Sequence, residues 1–270
     1  MYLNLDQPLH TVPFVLFDLE STGLDSQAGH RICEIAALRV ENRRFVGKLD
    51  ELVNPQREID SAAYAVNGIS HAMVVNAPPF AYVLPTFETL IDGAVLVAHN
   101  AYFDVGFLTM ERALLNLSPL PNPVIDTLAL ARRYISARRY NLTALATSIG
   151  ERAPTHRAMS DVLALRAVFD HLLDLLTRKG VATLDDLLRA QRGLLPGDEE
   201  SRVSQQVNAA MVAGESLLIS YRSNGGEPIE RRVLPLGMTV EGRRHLLHAF
   251  CYLRNAPRSF ALDRLSIIQL

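Results

Sequence analysis

Two acidic residues at the end of an apolar run constrain the fold of this chain more than any other feature. Residues 12–19 have the composition of a buried strand, and Asp18 and Glu20 stand two positions apart at its end. Because strand residues i and i+2 face the same side, both carboxylates point into one space. Carboxylates beside a buried strand repel each other unless a cation lies between them, and a divalent metal ion is the usual one. The segment therefore predicts a metal site at the end of a core strand.

Strand and helix patterns alternate through the first part of the chain. Strands are expected near residues 12–18, 32–40, 43–53 and 95–98. Helices are expected within residues 61–91 and over 103–115, 126–135, 142–149 and 158–176. This order predicts an α/β fold in which helices cover the faces of a sheet.

The last part of the chain has the pattern of a separate, β-rich unit. Residues 191–202 are rich in glycine, proline and charge, as domain linkers are. The pattern beyond them predicts a helix at 203–213, strands at 216–221, 229–236, 244–253 and 259–262, and a hairpin turn at 224–226. We therefore expect a first domain over 1–180, a helical linker over 181–202 and a second domain over 203–270.

Hydropathy and cysteine content favour a soluble, cytoplasmic protein without membrane contact. No apolar stretch approaches the ~20 residues of a membrane helix, and the first residues lack the pattern of a secretory signal. Cys33 and Cys251 lie far apart in apolar surroundings, which favours two core thiols over a disulfide. The formal net charge of -2 argues against a protein that coats DNA, but it is compatible with a nucleic-acid enzyme whose active site is acidic.

Two further carboxylates begin apolar helix faces. Asp104 follows the strand at 95–98, and strand ends that lead into helices are where α/β proteins place their sites. Asp161 begins a stripe that continues through Leu165 and Val168. A lone carboxylate on such a face carries a large desolvation cost, which a bound metal ion would offset.

A histidine lies close to this second helix. His156 stands five residues before Asp161, and a loop histidine beside carboxylates can act as a general base on a water. Four carboxylates and one histidine suit two metal ions about 3.5 to 4 Å apart, which together activate a water and stabilise a leaving oxygen. The expected reaction is phosphodiester hydrolysis.

Three segments that contain these residues resemble the motifs of the DEDDh exonucleases, a subclass of the DEDD superfamily. They are Asp-Leu-Glu-Ser-Thr-Gly-Leu at 18–24, His-Asn-Ala-Tyr-Phe-Asp at 99–104 and His-Arg-Ala-Met-Ser-Asp at 156–161. The resemblance runs from about residue 10 to residue 178 and is closest to the proofreading exonuclease subunit of bacterial DNA polymerase III and its stand-alone relatives.

The resemblance implies a ribonuclease-H-like fold with a mixed central sheet, two Mg²⁺ or Mn²⁺ ions, and release of nucleoside monophosphates from the 3′ end of a single strand. It implies four metal ligands, which are Asp18, Glu20, Asp104 and Asp161, with His156 as the general base. The implied substrate-binding residues are Thr22, Gly23, Leu24, His99, Asn100 and Phe103.

The second unit resembles the WYL domain, a small Sm-like β-barrel. The position of the name-giving Trp-Tyr-Leu holds His245, Leu246 and Leu247, so two of the three signature residues differ. Residues 221–270 contain eight arginines against four acids, a balance that suits a nucleic-acid strand or a nucleotide. The expected anion contacts are Arg232, His245, Arg258 and Arg264.

Three roles are compatible with these motifs. The first is a stand-alone exonuclease whose second domain grips or senses the single strand, with DNA favoured and RNA as the alternative. The second is a regulatory protein that senses a nucleotide or a single strand. The third is a replisome proofreading subunit, and this role and a polymerase partner are not favoured because residues after 180 show no extended polymerase-binding tail.

Overall fold

Strand pairing divides the chain into two sheets. The computed structural model describes residues 3–223, 226–241 and 244–269. The first sheet has the strand order β3-β2-β1-β4-β5. Its strands are β1 (Phe14–Ser21), β2 (Ile32–Glu41), β3 (Arg44–Leu52), β4 (Val95–Ala98) and β5 (Val124–Asp126). Strand β2 runs antiparallel to β1 and β3, whereas β4 runs parallel to β1 and β5, so the predicted mixed sheet is confirmed.

Helices cover both faces of this first sheet. In chain order the α-helices are α1 (Ser61–Asn67), α2 (His71–Val74), α3 (Phe80–Ile91), α4 (Ala101–Leu114), α5 (Thr127–Tyr134), α6 (Leu142–Ser148), α7 (Ala158–Thr177), α8 (Leu184–Gln191) and α9 (Arg202–Ala213). Helix α9 packs on the second sheet instead. Alternate residues of β1 supply the two cores. Phe14 and Leu16 join the core beneath α5 to α8, whereas Val15 and Phe17 join the core beneath α3 and α4.

The second sheet is antiparallel throughout and has the order β10-β6-β7-β8-β9. Its strands are β6 (Leu217–Arg222), β7 (Pro228–Glu241), β8 (Arg244–Cys251), β9 (Ala256–Ala261) and β10 (Leu265–Gln269). One face packs on α9 through Val207 and Ala210. Within the described residues no ladder joins β9 to β10, so the sheet is open there and the Sm-like barrel stays a prediction.

Several predicted boundaries are corrected by the structure. Helix α4 begins at Ala101 instead of residue 103. Helix α8 lies within residues 181–202, where a helical linker was predicted, and its apolar side chains join the first core. Strand β7 continues well past residue 236, and β10 was not predicted because its alternation is interrupted by a register shift after Ile267. The predicted hairpin turn at 224–226 has its first two residues outside the described part of the chain.

Two expectations from composition can be compared with the structure. Cys33 and Cys251 are both buried and free, as core thiols should be. Among the described residues, no helix combines the length and the apolar character needed to cross a bilayer.

Candidate active site

Strand β1 carries Asp18 and Glu20 on one face, as predicted from their spacing. Phe14 and Leu16 lie on the α7 side of the sheet, and the two acids continue that face toward the end of the strand. Asp161, in the first turn of α7, meets them there. One carboxylate oxygen from each of the three acids lies within 4.8 Å of the others.

Asp104 lies beside the triad, on helix α4, which packs on the opposite face of the sheet from α7. It is buried in the first turn of α4, and its Oδ1 accepts a hydrogen bond from the backbone N–H of Leu19 at 3.1 Å. Its negative charge is close enough to raise the pKa of Asp18. All four predicted metal ligands therefore lie at one end of β1, although the oxygen triad itself does not include Asp104.

The four carboxyl groups are held in surroundings that oppose ionisation. Burial is the largest cause for each of them, and it raises the pKa of Glu20 to about 8. Burial also raises the pKa of Asp18 well above its ordinary value, and the charges of Asp104 and Asp161 raise it further. The pKa values of Asp104 and Asp161 are raised by burial as well. Crowded carboxylate oxygens, of which those of Asp104 and Asp161 are buried and those of Asp18 and Glu20 half-buried, fit a divalent cation, whose charge would oppose these rises in pKa.

His156 stands at the rim of this acidic cluster. The residue is exposed, its backbone is left-handed with a φ of 55°, and its N–H donates to Asp161 Oδ1 at 3.1 Å. The positive charge of His156 opposes the rise in the Asp161 pKa, so its ring lies within electrostatic reach of that carboxylate. An accessible imidazole in this position can exchange protons with a water at the cluster.

An ion pair between the buried Glu34 and the partly exposed Arg157, which the sequence did not indicate, holds the His156 loop. Glu34 of β2 is 3% exposed and lies opposite Glu20 in the strand register. Arg157 Nε lies 3.1 Å from both carboxylate oxygens of Glu34, and the N–H of Ala158 donates to Oε2 at 2.8 Å. The only sequence signal was an acid inside the apolar run of β2, which does not name its partner.

The loop after β1 has a buried threonine, a glycine in a tight space and an exposed leucine. The Thr22 hydroxyl accepts the N–H of Arg31 at 3.1 Å and lies 3.2 Å from His30 Nδ1. Gly23 lies against the His30 ring so closely that any Cβ would collide with it. Leu24 is 86% exposed, so its side chain is free to pack on another molecule.

Hydrogen bonds from later segments of the chain hold His99, the first residue of the motif at 99–104. His99 Nδ1 lies 2.9 Å from the Thr127 hydroxyl, and Nε2 lies 2.9 Å from the carbonyl oxygen of Tyr140. Burial lowers the pKa of His99 to about 4, so the ring is neutral and Nε2 donates to that carbonyl. Asn100 is exposed with a left-handed φ of 64°, and the half-buried Phe103 packs on Phe107.

The four predicted anion contacts of the second sheet do not form one cluster. Arg232 shares a face with Leu234, whereas Arg258 lies opposite Ala249 on the other face of the sheet. His245 is exposed near the start of β8. Arg264 lines a separate open cavity of about 550 Å³ with Arg222.

Comparison with known proteins agrees with this geometry. The family model for exonucleases of the RNase T type matches residues 15–169, and the WYL domain model matches residues 202–270. The chain therefore belongs to the exonuclease family and carries a C-terminal WYL domain. The resemblance seen in the three motifs is confirmed at the level of the family.

The relatives resemble this chain over only part of their own length. The DNA polymerase III subunit epsilon-like protein of Rhodobacter capsulatus is 39% identical over 210 residues, which cover 76% of this chain and 29% of that protein. Three of the curated relatives are much longer, and the chain spans only 29%, 12% and 38% of their lengths.

Solved structures share the fold. The nuclease domain of 3′hExo, a DEDDh family member bound to rAMP, superposes with a TM-score of 0.54 at 17% identity, over 62% of this chain and 94% of that one. Exonuclease I of E. coli, in complex with a dA16 oligonucleotide, gives a TM-score of 0.55 at 17% identity, over 89% of this chain and 55% of that one. At these identities the likeness concerns the fold alone.

Proposed function

We propose that this chain is a metal-dependent 3′-to-5′ exonuclease that removes nucleoside monophosphates from the 3′ end of single-stranded nucleic acid. DNA is the favoured substrate and RNA is the alternative. The observation that carries the proposal is the triad of Asp18, Glu20 and Asp161, whose oxygens lie within 4.8 Å of one another beside the buried Asp104. Family membership over residues 15–169 supports the same reaction.

The acidic residues would hold two divalent ions, Mg²⁺ or Mn²⁺. When bound, such ions supply charge stabilisation for a phosphodiester that is being hydrolysed. Asp18, Glu20, Asp104 and Asp161 are the four carboxylates that would hold them. Their raised pKa values favour a cation, because without one the cluster must keep protons or bear mutual repulsion.

The remaining motif residues would hold the substrate and move the proton. His156, exposed at the rim, would take the proton of the attacking water. The backbone of Thr22 and Gly23 would contact the terminal 3′-hydroxyl, while Leu24 and Phe103 would pack on the last bases, a contact that tolerates any sequence. Asn100, which is exposed, would contact the substrate directly. His99 would contribute by holding the backbone of the second motif in place, since both of its ring nitrogens already have partners.

The WYL domain would bind the same strand or sense a nucleotide. Arg232, His245, Arg258 and Arg264 are the proposed anion contacts, and phosphate contacts of this kind weaken as salt concentration rises. We propose domain limits of 1–180 and 203–270, joined by 181–202, and a cytoplasmic location, which the two free thiols favour.

The reaction is tested with oligonucleotides of one sequence, made as DNA and as RNA and labelled at the 5′ end. With Mg²⁺ or Mn²⁺ the full chain should produce a ladder that shortens from the 3′ end, and chromatography should detect nucleoside monophosphates. Asp18→Asn should lower the rate by at least about a thousandfold, because the four carboxylates act together and the loss of one disables the whole site. The matched control is Asp92→Asn, an exposed acid outside the cluster. Full cleavage by Asp18→Asn would contradict the proposal.

The name of one relative favours a second candidate, proofreading beside a polymerase. The Rhodobacter capsulatus relative is named as a DNA polymerase III subunit epsilon-like protein. A proofreading enzyme should remove a mispaired 3′ nucleotide from a primed template faster than a paired one. Equal rates on both, with fast degradation of a free single strand, would favour the stand-alone role.

A further inference from the structure

The WYL sheet rests directly on the helix that carries Asp104. Leu234, Leu236 and Phe250 form a small apolar cluster on the sheet, and Val105 of α4 packs against it. One turn earlier on α4, the Tyr102 ring lies 5.0 Å from the ring of His248. The sheet therefore contacts α4 on both sides of Asp104 in sequence.

His248 is held firmly in this contact. Its Nε2 lies 2.7 Å from the Thr239 hydroxyl, and its Nδ1 lies 2.9 Å from the Ser259 hydroxyl. Burial lowers the pKa of His248 to about 4, so the ring is neutral at neutral pH. A neutral ring with both nitrogens engaged gives Tyr102 a fixed surface to pack on.

Gln191 joins the same sheet to the first domain by hydrogen bonds. It ends α8, is 2% exposed, and its side-chain oxygen accepts the N–H of Asp126 at 2.6 Å. Its Nε2 donates to the carbonyl oxygen of Met238 in β7 at 3.0 Å and to that of Val124 in β5 at 3.4 Å. One amide thus ties the WYL sheet to the edge strand of the exonuclease sheet.

Asp126, which is bonded to Gln191 through its backbone N–H, is in turn hydrogen-bonded to the start of α4. Its Oδ1 accepts the N–H of Leu128, which caps the start of α5, and also the N–H of Asn100, both at 2.9 Å. Asn100 has a left-handed backbone, a conformation that asparagine adopts more readily than most residues, and its N–H is held by Asp126. Asp104 lies four residues further along, in the first turn that begins at this point.

We propose that Gln191 is a positioning residue, through which the docked WYL sheet sets the place of the Asp104 carboxylate in the metal site. The inference rests on the proposed function, because it concerns the same acidic cluster. Groups hydrogen-bonded directly to a metal ligand typically change metal affinity by about 10- to 100-fold, and Gln191 acts through Asp126 and Asn100, so its effect should lie at the lower end of that range. The WYL domain then contributes to the site even when no strand is bound to it.

The test measures Mn²⁺ binding to the full chain by loss of the free-ion EPR signal, which needs no catalysis. Gln191→Met has a similar volume but cannot make the three hydrogen bonds, and it should weaken Mn²⁺ binding about tenfold. It should also lower kcat by more than it raises KM for the oligonucleotide, because Asp104 holds the metal and does not contact distant nucleotides. Gln205→Leu, an exposed glutamine on α9, is the matched control and should bind Mn²⁺ normally.

A second pair of variants covers the case in which Gln191→Met does not fold. Asp126→Ala removes the acceptor for Asn100 and should weaken Mn²⁺ binding, whereas Asp126→Asn keeps an acceptor oxygen and should restore most of it. If the role of Gln191 is purely structural, these variants will lower the urea midpoint and leave the Mn²⁺ dissociation constant unchanged. That result would overturn the inference, while the proposed function would still stand if the unchanged chain cleaves the oligonucleotide. An unchanged chain that neither cleaves nor binds Mn²⁺ would overturn both.

Discussion

Metal binding at the acidic cluster should depend steeply on pH, because its carboxyl groups keep their protons in the folded chain. Burial, followed by the charge of Asp161, raises the pKa of Glu20 from 4.5 to about 8. A divalent ion binds the ionised form, so the proton must leave first. At pH 6 only about one Glu20 in a hundred is ionised, and at pH 9 about nine in ten are. The apparent dissociation constant should therefore fall about 90-fold between these pH values from Glu20 alone.

The same proton affects the stability of the metal-free chain. The unfolded chain releases the Glu20 proton near pH 4.5, whereas the folded chain keeps it until about pH 8. A raised carboxyl pKa stabilises the fold fully below the unfolded value, and this contribution is lost as pH rises through the folded value. Glu20 should contribute about 3 kcal/mol less at pH 9 than at pH 6. Asp18 and Asp104 change stability in the same direction, because their pKa values are also raised.

Two titrations measure these effects. Free Mn²⁺ is followed by EPR at pH 6, 7, 8 and 9, and urea unfolding is followed in EDTA at the same pH values. Glu20→Gln should bind Mn²⁺ more weakly and with a shallower pH dependence, whereas Asp92→Asn should match the unchanged chain. A dissociation constant that stays level from pH 6 to pH 9 would refute the reasoning, and so would a metal-free stability that rises over that range.

Three other perturbations test contacts around the cluster. Arg157→Ala leaves the buried Glu34 without its arginine and should lower the free energy of unfolding in urea by about 1 to 3 kcal/mol, because the Arg157 side chain is itself partly exposed; an unchanged free energy of unfolding would show that the pair does not stabilise the fold. Gly23→Ala should slow cleavage at least about tenfold, because the added Cβ collides with the His30 ring. Adding His30→Ala should restore part of the rate, whereas a Gly23→Ala rate equal to that of the unchanged chain would argue against the collision. In an NMR titration the His99 ring should stay neutral from pH 8 down to 5.5, because burial lowers its pKa to about 4. Its contribution to stability is lost as pH falls below about 6.5, where the unfolded chain gains the proton first, and a ring that titrates near 6.5 would contradict this.

The local setting of the acidic residues was predictable from sequence. Asp18 and Glu20 lie on one face of β1, and Asp104 and Asp161 lie in the first turns of α4 and α7. Strand and helix periodicities depend on neighbours a few positions apart, so the spacing of the acids was enough to orient them. The order of the three motifs then indicated the exonuclease family.

The second sheet was predictable only in part. Strands β6 to β9 were expected from alternation, although β7 proved longer and β9 began earlier. Strand β10 lies on the edge of the sheet and pairs with β6 across a register shift, so its side chains do not alternate regularly. The regular sequence pattern from which strands are inferred is absent in such a segment.

The sequence by itself determined the local elements, the faces of the acids and the family. Only the tertiary structure decided which distant groups meet. Arg157 pairs with Glu34, which is 123 positions away in the sequence. Gln191, which begins a segment with the composition of a linker, is hydrogen-bonded to Met238, which is 47 positions away. With 27 basic residues in the chain, sequence offers many partners for each acid. The choice among them depends on how whole helices and sheets pack, because a long-range polar contact forms only where packing brings its two groups together and excludes water.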